Sequence, residues 1–210
     1  NPLEITLKPT PVTCYGFSDG IAQVNYSSGY WPITFVWDSG TSNVDLINQE
    51  AGSYYVTVTD SVGCDIDTFI TIGTPTEVTL SATKIDLLCY NDNDGNIDIS
   101  VNGGVPNYTF AWSNGSLTED VNNLTSGNYI ITITDDNGCV KDTSIIIDSP
   151  DEVLLSAIKT DLLCYNDNDG IIDLSVIGGV PSYSFSWSNG ALTEDINSLI
   201  EGNYIIAVTD

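Results

Sequence analysis

The chain has 210 residues, with 29 acidic side chains against four basic ones and a net charge of −25. Its cations are Lys8, Lys84, Lys141 and Lys159, with no Arg, so it cannot neutralise a row of nucleic-acid phosphates, and an anionic membrane surface repels it. His and Met are absent, which removes the commonest general acid–base side chain from any active site, and no run reaches the roughly 18–20 apolar residues of a membrane span.

The strand pattern is clearest in the middle of the chain. Val78, Leu80 and Ala82 alternate with Thr79 and Ser81. Ile97, Ile99 and Val101 follow, then Tyr108, Phe110 and Trp112, then Tyr129, Ile131 and Ile133, then Ile145 and Ile147, each set alternating with polar or outward residues. Period-two alternation rich in β-branched and aromatic residues predicts half-buried strands, and the Asp-Gly, Gly-Gly and Asn-Gly pairs between them predict tight turns. No segment has helical periodicity.

The pattern repeats every 75 residues without a gap. Cys14, Cys89 and Cys164 keep that step, as do Trp37, Trp112 and Trp187, and Tyr54, Tyr129 and Tyr204. Pro75 and Pro150 mark joints in Gly-Thr-Pro-Thr-Glu and Asp-Ser-Pro-Asp-Glu. The expected domains are therefore 1–75, 76–150 and 151–210. The third stops before its last strand, which implies an array longer than this chain. The fold class is all-β: tandem immunoglobulin-like β-sandwich repeats of period 75 arranged as an extended array. The Trp of the third strand is the expected core residue of each copy, and Leu124-x-x-Gly127-x-Tyr129, with Leu199, Gly202 and Tyr204, resembles a tyrosine corner. Gln49 replaces the Leu in the first copy.

Each complete copy carries two cysteines, Cys14 with Cys64 and Cys89 with Cys139. If one short strand near Thr118–Val121 separates the third strand from the Tyr strand, alternating strand directions put both cysteines at the same end. That reading predicts disulfides Cys14–Cys64 and Cys89–Cys139, each stabilising its domain by about 4 kcal/mol, with Cys164 pairing beyond the fragment. Reduced, buried thiols are the alternative. Disulfides imply an oxidising compartment.

Cys89…Asp94-Gly95, Gly103-Gly104-Val105-Pro106, Trp112-Ser113-Asn114-Gly115, Leu124-x-x-Gly127-x-Tyr129 and Thr134-Asp135-x-x-Gly138-Cys139 together resemble the SprB-type repeat of gliding Bacteroidetes. The third copy matches with Trp187-Ser-Asn-Gly190; the first departs, with Tyr30-Trp31-Pro32 and Trp37-Asp-Ser-Gly40. The resemblance implies a large, filamentous cell-surface adhesin exported by the type IX secretion system. It implies an outer-membrane-associated, extracellular location and dealings with the secretion and motility machinery, without direct membrane insertion.

Three candidate sites remain. Asp92, Asp94, Asp167 and Asp169 lie in Asn-Asp-Asn-Asp-Gly runs that resemble part of a calcium loop, with Asp135 and Asp136 as added candidates. An EF-hand would need a ligand at Tyr90 and a Glu near Val101, so the competing reading is an Asp-Gly turn with local hydrogen bonds. Calcium is the one cofactor these residues would suit. Asp98 and Asp173 recur on strands with no sign of a cleft and are expected to be solvated surface. Tyr30 and Trp31 either cover the sandwich edge, the favoured reading, or stack on a sugar. No residue is assigned a catalytic role and no enzyme is expected. Surface polysaccharide or substratum is the partner a stalk or a glycan-binding module would meet; a third reading makes these accessory repeats of a secreted hydrolase.

Overall fold

A computed structural model describes residues 2–210. Its described residues form seventeen strands and no helix, so none crosses a membrane as a helix. Repeat 1 contributes β1 (Ile5–Thr10), β2 (Gly20–Tyr26), β3 (Thr34–Trp37), β4 (Leu46–Gln49), β5 (Gly52–Thr59) and β6 (Asp65–Ile72). Repeat 2 contributes β7 (Thr79–Ile85), β8 (Gly95–Asn102), β9 (Thr109–Trp112), β10 (Val121–Leu124), β11 (Gly127–Thr134) and β12 (Val140–Ile147). Repeat 3 contributes β13 (Leu154–Thr160), β14 (Gly170–Ile177), β15 (Ser184–Trp187), β16 (Ile196–Leu199) and β17 (Ile206–Thr209).

The strands pair by one scheme. Sheets β1-β2-β4 and β3-β5-β6 make repeat 1; β7-β8-β10 and β9-β11-β12 recur in repeat 2; β13-β14-β16 and β15-β17 recur in repeat 3. First, second and short fourth strands in one sheet, with third, fifth and sixth in the other, is an immunoglobulin-like sandwich lacking strand D. Chain packing gives two compact units. One holds Asn1–Ala82, Ile99–Glu119 and Ile130–Ser144; the other holds Thr83–Asp98, Asp120–Tyr129 and Ile145–Asp210.

The alternation read from the sequence sets what is buried. In repeat 1, Ala22 and Val24 of β2, Phe35 and Trp37 of β3, Leu46 of β4, Val56 and Val58 of β5, and Ile70 and Ile72 of β6 form one core between the sheets. Trp37, Trp112 and Trp187 are all buried, at 1%, 4% and 5% exposure. Burying an indole without satisfying its N–H would cost free energy. Each Nε1–H therefore donates at 2.9 Å to a carbonyl six residues on, in Asn43, Thr118 and Thr193. Tyr54, Tyr129 and Tyr204 are half-buried. Their hydroxyls donate to the carbonyls of Glu50, Thr125 and Ile200, four residues back, at 2.8, 2.9 and 3.0 Å. These are tyrosine corners. The first forms with Gln49 where the others have Leu, since its acceptor is backbone.

Gly20, Gly95 and Gly170 open the second strand of each copy for a steric reason. A Cβ there would stand 2.9, 2.8 or 3.0 Å from the carbonyl oxygens of Gln49, Leu124 and Leu199. That close approach fixes where the fourth strand ends against the second.

Replacing Trp37 with Ala should destabilise the fold by about 3–5 kcal/mol, from lost packing and the cavity left behind. Tyr54→Phe should cost only about 1 kcal/mol, one net hydrogen bond. Urea denaturation followed by fluorescence checks both.

Candidate functional site

The five cysteines occupy two kinds of turn. Cys14 lies in the link from β1 to β2. There the Phe17 N–H donates to the Cys14 carbonyl at 3.1 Å, and Asp19 accepts from the Thr13 N–H at 2.9 Å and from its hydroxyl. The Val12 N–H donates to the Gly73 carbonyl at 3.1 Å, so this turn sits at the far end of β6. Cys64 lies in the other kind, between β5 and β6. Its N–H donates to the Asp60 carboxylate at 2.9 Å, and the Asp60 N–H donates to the Cys64 carbonyl at 2.9 Å. Cys139 repeats this with Asp135 at 2.8 and 3.0 Å.

The disulfide runs between repeats. Cys14 bonds Cys139, with Cα atoms 5.6 Å apart and 125 residues between them in sequence. Beside it the Asn137 side-chain amide donates to the Thr13 carbonyl at 3.0 Å. Thr76, Glu77 and Val78 of the linker, with Tyr15 and Phe17, line a shallow cleft against the bond. Cys64, Cys89 and Cys164 are free and exposed.

The expected Cys14–Cys64 and Cys89–Cys139 pairs are therefore corrected. The short strand is present, as β4 and β10, but strict alternation of direction is not. β4 is antiparallel to β2, and β5 is antiparallel to both β3 and β6. The end of β4 at Gln49 and the end of β6 at Ile72 both meet Gly20. So β4 and β6 point the same way, and β3 shares that direction. The count is off by one strand, because a D strand is missing. Cys14 is left at the end of β6 and Cys64 at its start. Eight residues of strand span about 26 Å, whereas a disulfide needs Cα atoms within about 7 Å.

A second set of residues, not singled out as structural in the sequence, holds these turns. Asp60, Asp135 and Asp210 also keep the 75-residue step. Asp60 and Asp135 are buried at 5% exposure each. Asp135 accepts the N–H groups of Val105, Asn137 and Cys139 at 2.8, 3.0 and 2.8 Å. Asp60 accepts those of Tyr30, Val62 and Cys64 at 3.2, 3.1 and 2.9 Å. Asp210 accepts the Val180 N–H at 2.8 Å. The Thr-Asp pairs at a fixed step were the available signal. The Cys64 N–H, ahead of those of Tyr30, Val62 and Gly63, holds the Asp60 carboxyl below its ordinary value against the opposing effect of burial. The Thr13 hydroxyl, then its N–H, does the same for Asp19.

The calcium candidates are placed in turns of the Cys14 kind. Asp94 and Asp169 approach the N–H groups of Leu88 and Leu163 at 3.4 and 3.3 Å, as Asp19 approaches Thr13. Asp92 and Asp167 donate their own N–H to the Cys89 and Cys164 carbonyls, at 3.2 Å each. Among the described residues no three acidic or thiol side chains converge as a metal site would require. Asp135, offered as an added ligand, spends its oxygens on backbone N–H groups. Asp98 and Asp173 are exposed on β8 and β14. Tyr30 and Trp31 are 52% and 80% exposed, and Asp60 holds their loop through the Tyr30 N–H. The structure adds an aromatic pair, Tyr55 on β5 and Phe69 on β6, with ring centroids 5.6 Å apart. With Val36 and Thr57 it forms an open face flanked by Asp38 and Asp67. The equivalent positions hold Ile130 and Ser144 in repeat 2, so the sandwich itself does not demand the pair.

A family model, the SprB repeat, matches residues 81–117 and 156–192. Residues 81–117 and 156–192 are SprB repeats. The SprB matches begin in the first strands of repeats 2 and 3 and end just beyond their tryptophans. No curated protein matches the chain. Solved structures similar to it include Sidekick-1 immunoglobulin domains 1–5, at 12% identity over 98% of this chain and 52% of that one, with a TM-score of 0.39. The chain thus spans about half the length of that structure. The amphioxus IgVJ-C2 molecule gives 16% identity over 70% and 96%, TM-score 0.29; Dpr2 Ig1–Ig2 in complex with DIP-Theta Ig1–Ig3 gives 9% over 92% and 82%, TM-score 0.33.

Two measurements check the site. Peptide mass mapping without reduction should recover Cys14 joined to Cys139, and recovery of Cys14 joined to Cys64 would overturn the assignment. Because the folded Asp60 carboxyl titrates below its unfolded value, the unfolded chain binds more protons in that window. Its stabilising contribution is full above the ordinary aspartate range and is lost as pH falls through the depressed folded value. Asp60→Asn should therefore lower the urea midpoint at pH 7 and reduce its further fall on acidification.

Proposed function

We propose that this chain is a shaft segment of a large adhesin displayed on the outer surface of a gliding bacterium. Its repeats, at 1–75, 76–150 and 151–210, are non-catalytic spacers between the cell and a binding tip. The observation that carries this reading is the Cys14–Cys139 bond. A disulfide within a domain resists that domain's unfolding, whereas one that joins successive repeats also keeps the repeats in register under tension. On the chain-entropy model a loop of this size stabilises by about 5 kcal/mol. The net charge of −25 adds repulsion that favours an extended array in solution. Export by the type IX system and a part in gliding or attachment follow from the SprB likeness and belong to this proposal.

A second reading rests on Tyr55 and Phe69. Two exposed rings with carboxylates at their margin suit stacking on an uncharged sugar and hydrogen bonding to its hydroxyls. Repeat 1 would then touch neutral surface polysaccharide itself.

Antibody against this chain should label intact, unpermeabilised cells, and deleting the segment from its parent should weaken attachment or gliding. Labelling only after permeabilisation would overturn the shaft reading. Titration with neutral polysaccharide, followed by tyrosine fluorescence, tests the second: Tyr55→Ala with Phe69→Ala should abolish binding if repeat 1 supplies the contact.

A further inference from the structure

Repeat 1 departs from the other two copies on one outward face. On the sheet β3-β5-β6, Tyr55 lies opposite Phe69, and Thr57 lies opposite both Val36 and Asp67. The Asp38 N–H donates to the Tyr55 carbonyl at 2.9 Å, which sets Asp38 beside Tyr55. Two rows result, Asp38–Tyr55–Phe69 and Val36–Thr57–Asp67, with carboxylates at opposite corners. In repeat 2 the positions of Asp38, Tyr55 and Phe69 hold Ser113, Ile130 and Ser144, and repeat 3 has Ser188 and Ile205.

The serines serve the fold. Their hydroxyls accept the N–H groups of Ile130 and Ile205, at 3.1 Å each. Asp38 has no such duty: among the described residues, no group donates to its carboxylate. The Thr57 hydroxyl donates to one Asp67 oxygen at 2.6 Å and leaves the other open. Two open carboxylates on a chain of charge −25 call for a ligand that brings donors and no acid of its own. Between them Tyr55 and Phe69 are 58% and 56% exposed, with centroids 5.6 Å apart. That spacing is about the length of one pyranose unit. A point cation would need only the carboxylates, whereas two rings one sugar apart suit consecutive units of a chain.

We propose that this face takes an uncharged, cellulose-type β-glucan, one sugar on each ring, with hydroxyls at the sugar rim donating to Asp38 and Asp67. The proposal rests on the second reading above and names its polymer. Stacking on an aromatic face needs a sugar face made of C–H groups. In a chain of this linkage each sugar is turned over relative to the last, so Tyr55 and Phe69 meet opposite sugar faces. An axial hydroxyl would stand against one of the two rings. An all-equatorial sugar shows C–H groups to both and sends its hydroxyls outward round the rim, where the carboxylates lie.

The test is calorimetric titration of the folded chain with three soluble oligosaccharides of the same linkage. They are a cello-oligosaccharide, a manno-oligosaccharide with one axial hydroxyl per sugar, and the glucuronate counterpart. The cello-oligosaccharide should bind, the manno-oligosaccharide about tenfold more weakly, and the glucuronate not at all. Asp38→Ala with Asp67→Ala should weaken cello-oligosaccharide binding at least about tenfold. Both positions are exposed, so circular dichroism should be unchanged. Equal binding of the cello- and manno-oligosaccharides, equal binding of the glucuronate, or full affinity in the double variant would overturn this proposal and leave the second reading standing. Failure of both neutral oligosaccharides to bind would sink the two together.

Discussion

One strand's length governs the covalent design of this chain. The sixth strand of repeat 1 separates its two cysteine turns by about 26 Å, the rise of eight extended residues. No side chain bridges that gap, so a cysteine in either turn finds a partner only outside its own repeat. The Cys14–Cys139 bond follows from this constraint. Cys64, Cys89 and Cys164 are free and exposed.

The rest of the repeat holds those turns in place. Buried Trp37 fixes the third strand against the fifth, and the Tyr54 hydroxyl fixes the entry to the fifth. Asp60 and Asp135 then turn the chain from the fifth strand into the sixth, using their carboxylates to satisfy backbone N–H groups that would otherwise be buried without partners. Gly104 shows how tightly this is drawn. At φ +63°, it approaches Asp135 so closely that a Cβ would stand 2.7 Å from the carboxylate oxygen. The acidic residues of these turns are thus structural, although the chain's overall charge invites a metal-binding interpretation.

Much of this was legible in the sequence. Alternation at Ile97-Ile99 and Ile131-Ile133 placed the inward faces, and the 75-residue step of Trp and Tyr marked the core and the corner. The pairing of cysteines was not legible, because it depends on a strand that is absent. Counting directions from one hydrophobic run to the next assumes that each run reverses the last, yet β3 and β4 run the same way. Periodicity reports which side of a strand is buried and carries no information on its direction. Asp135 was visible as a recurring residue, but its role emerges only when the Gly103-Gly104-Val105 loop, thirty residues away, is folded against it. The Tyr55–Phe69 pair likewise arises from hairpin register.

The central claim is that the disulfide welds successive repeats, and pulling on the chain from its two ends tests it directly. With the bond intact, the 125 residues between Cys14 and Cys139 cannot extend, which withholds about 440 Å of contour length. Single-molecule force extension should show that length released in full when reductant is added. An oxidised chain that already extends to its full contour, or one that withholds two separate loops of about 175 Å each, would contradict the account.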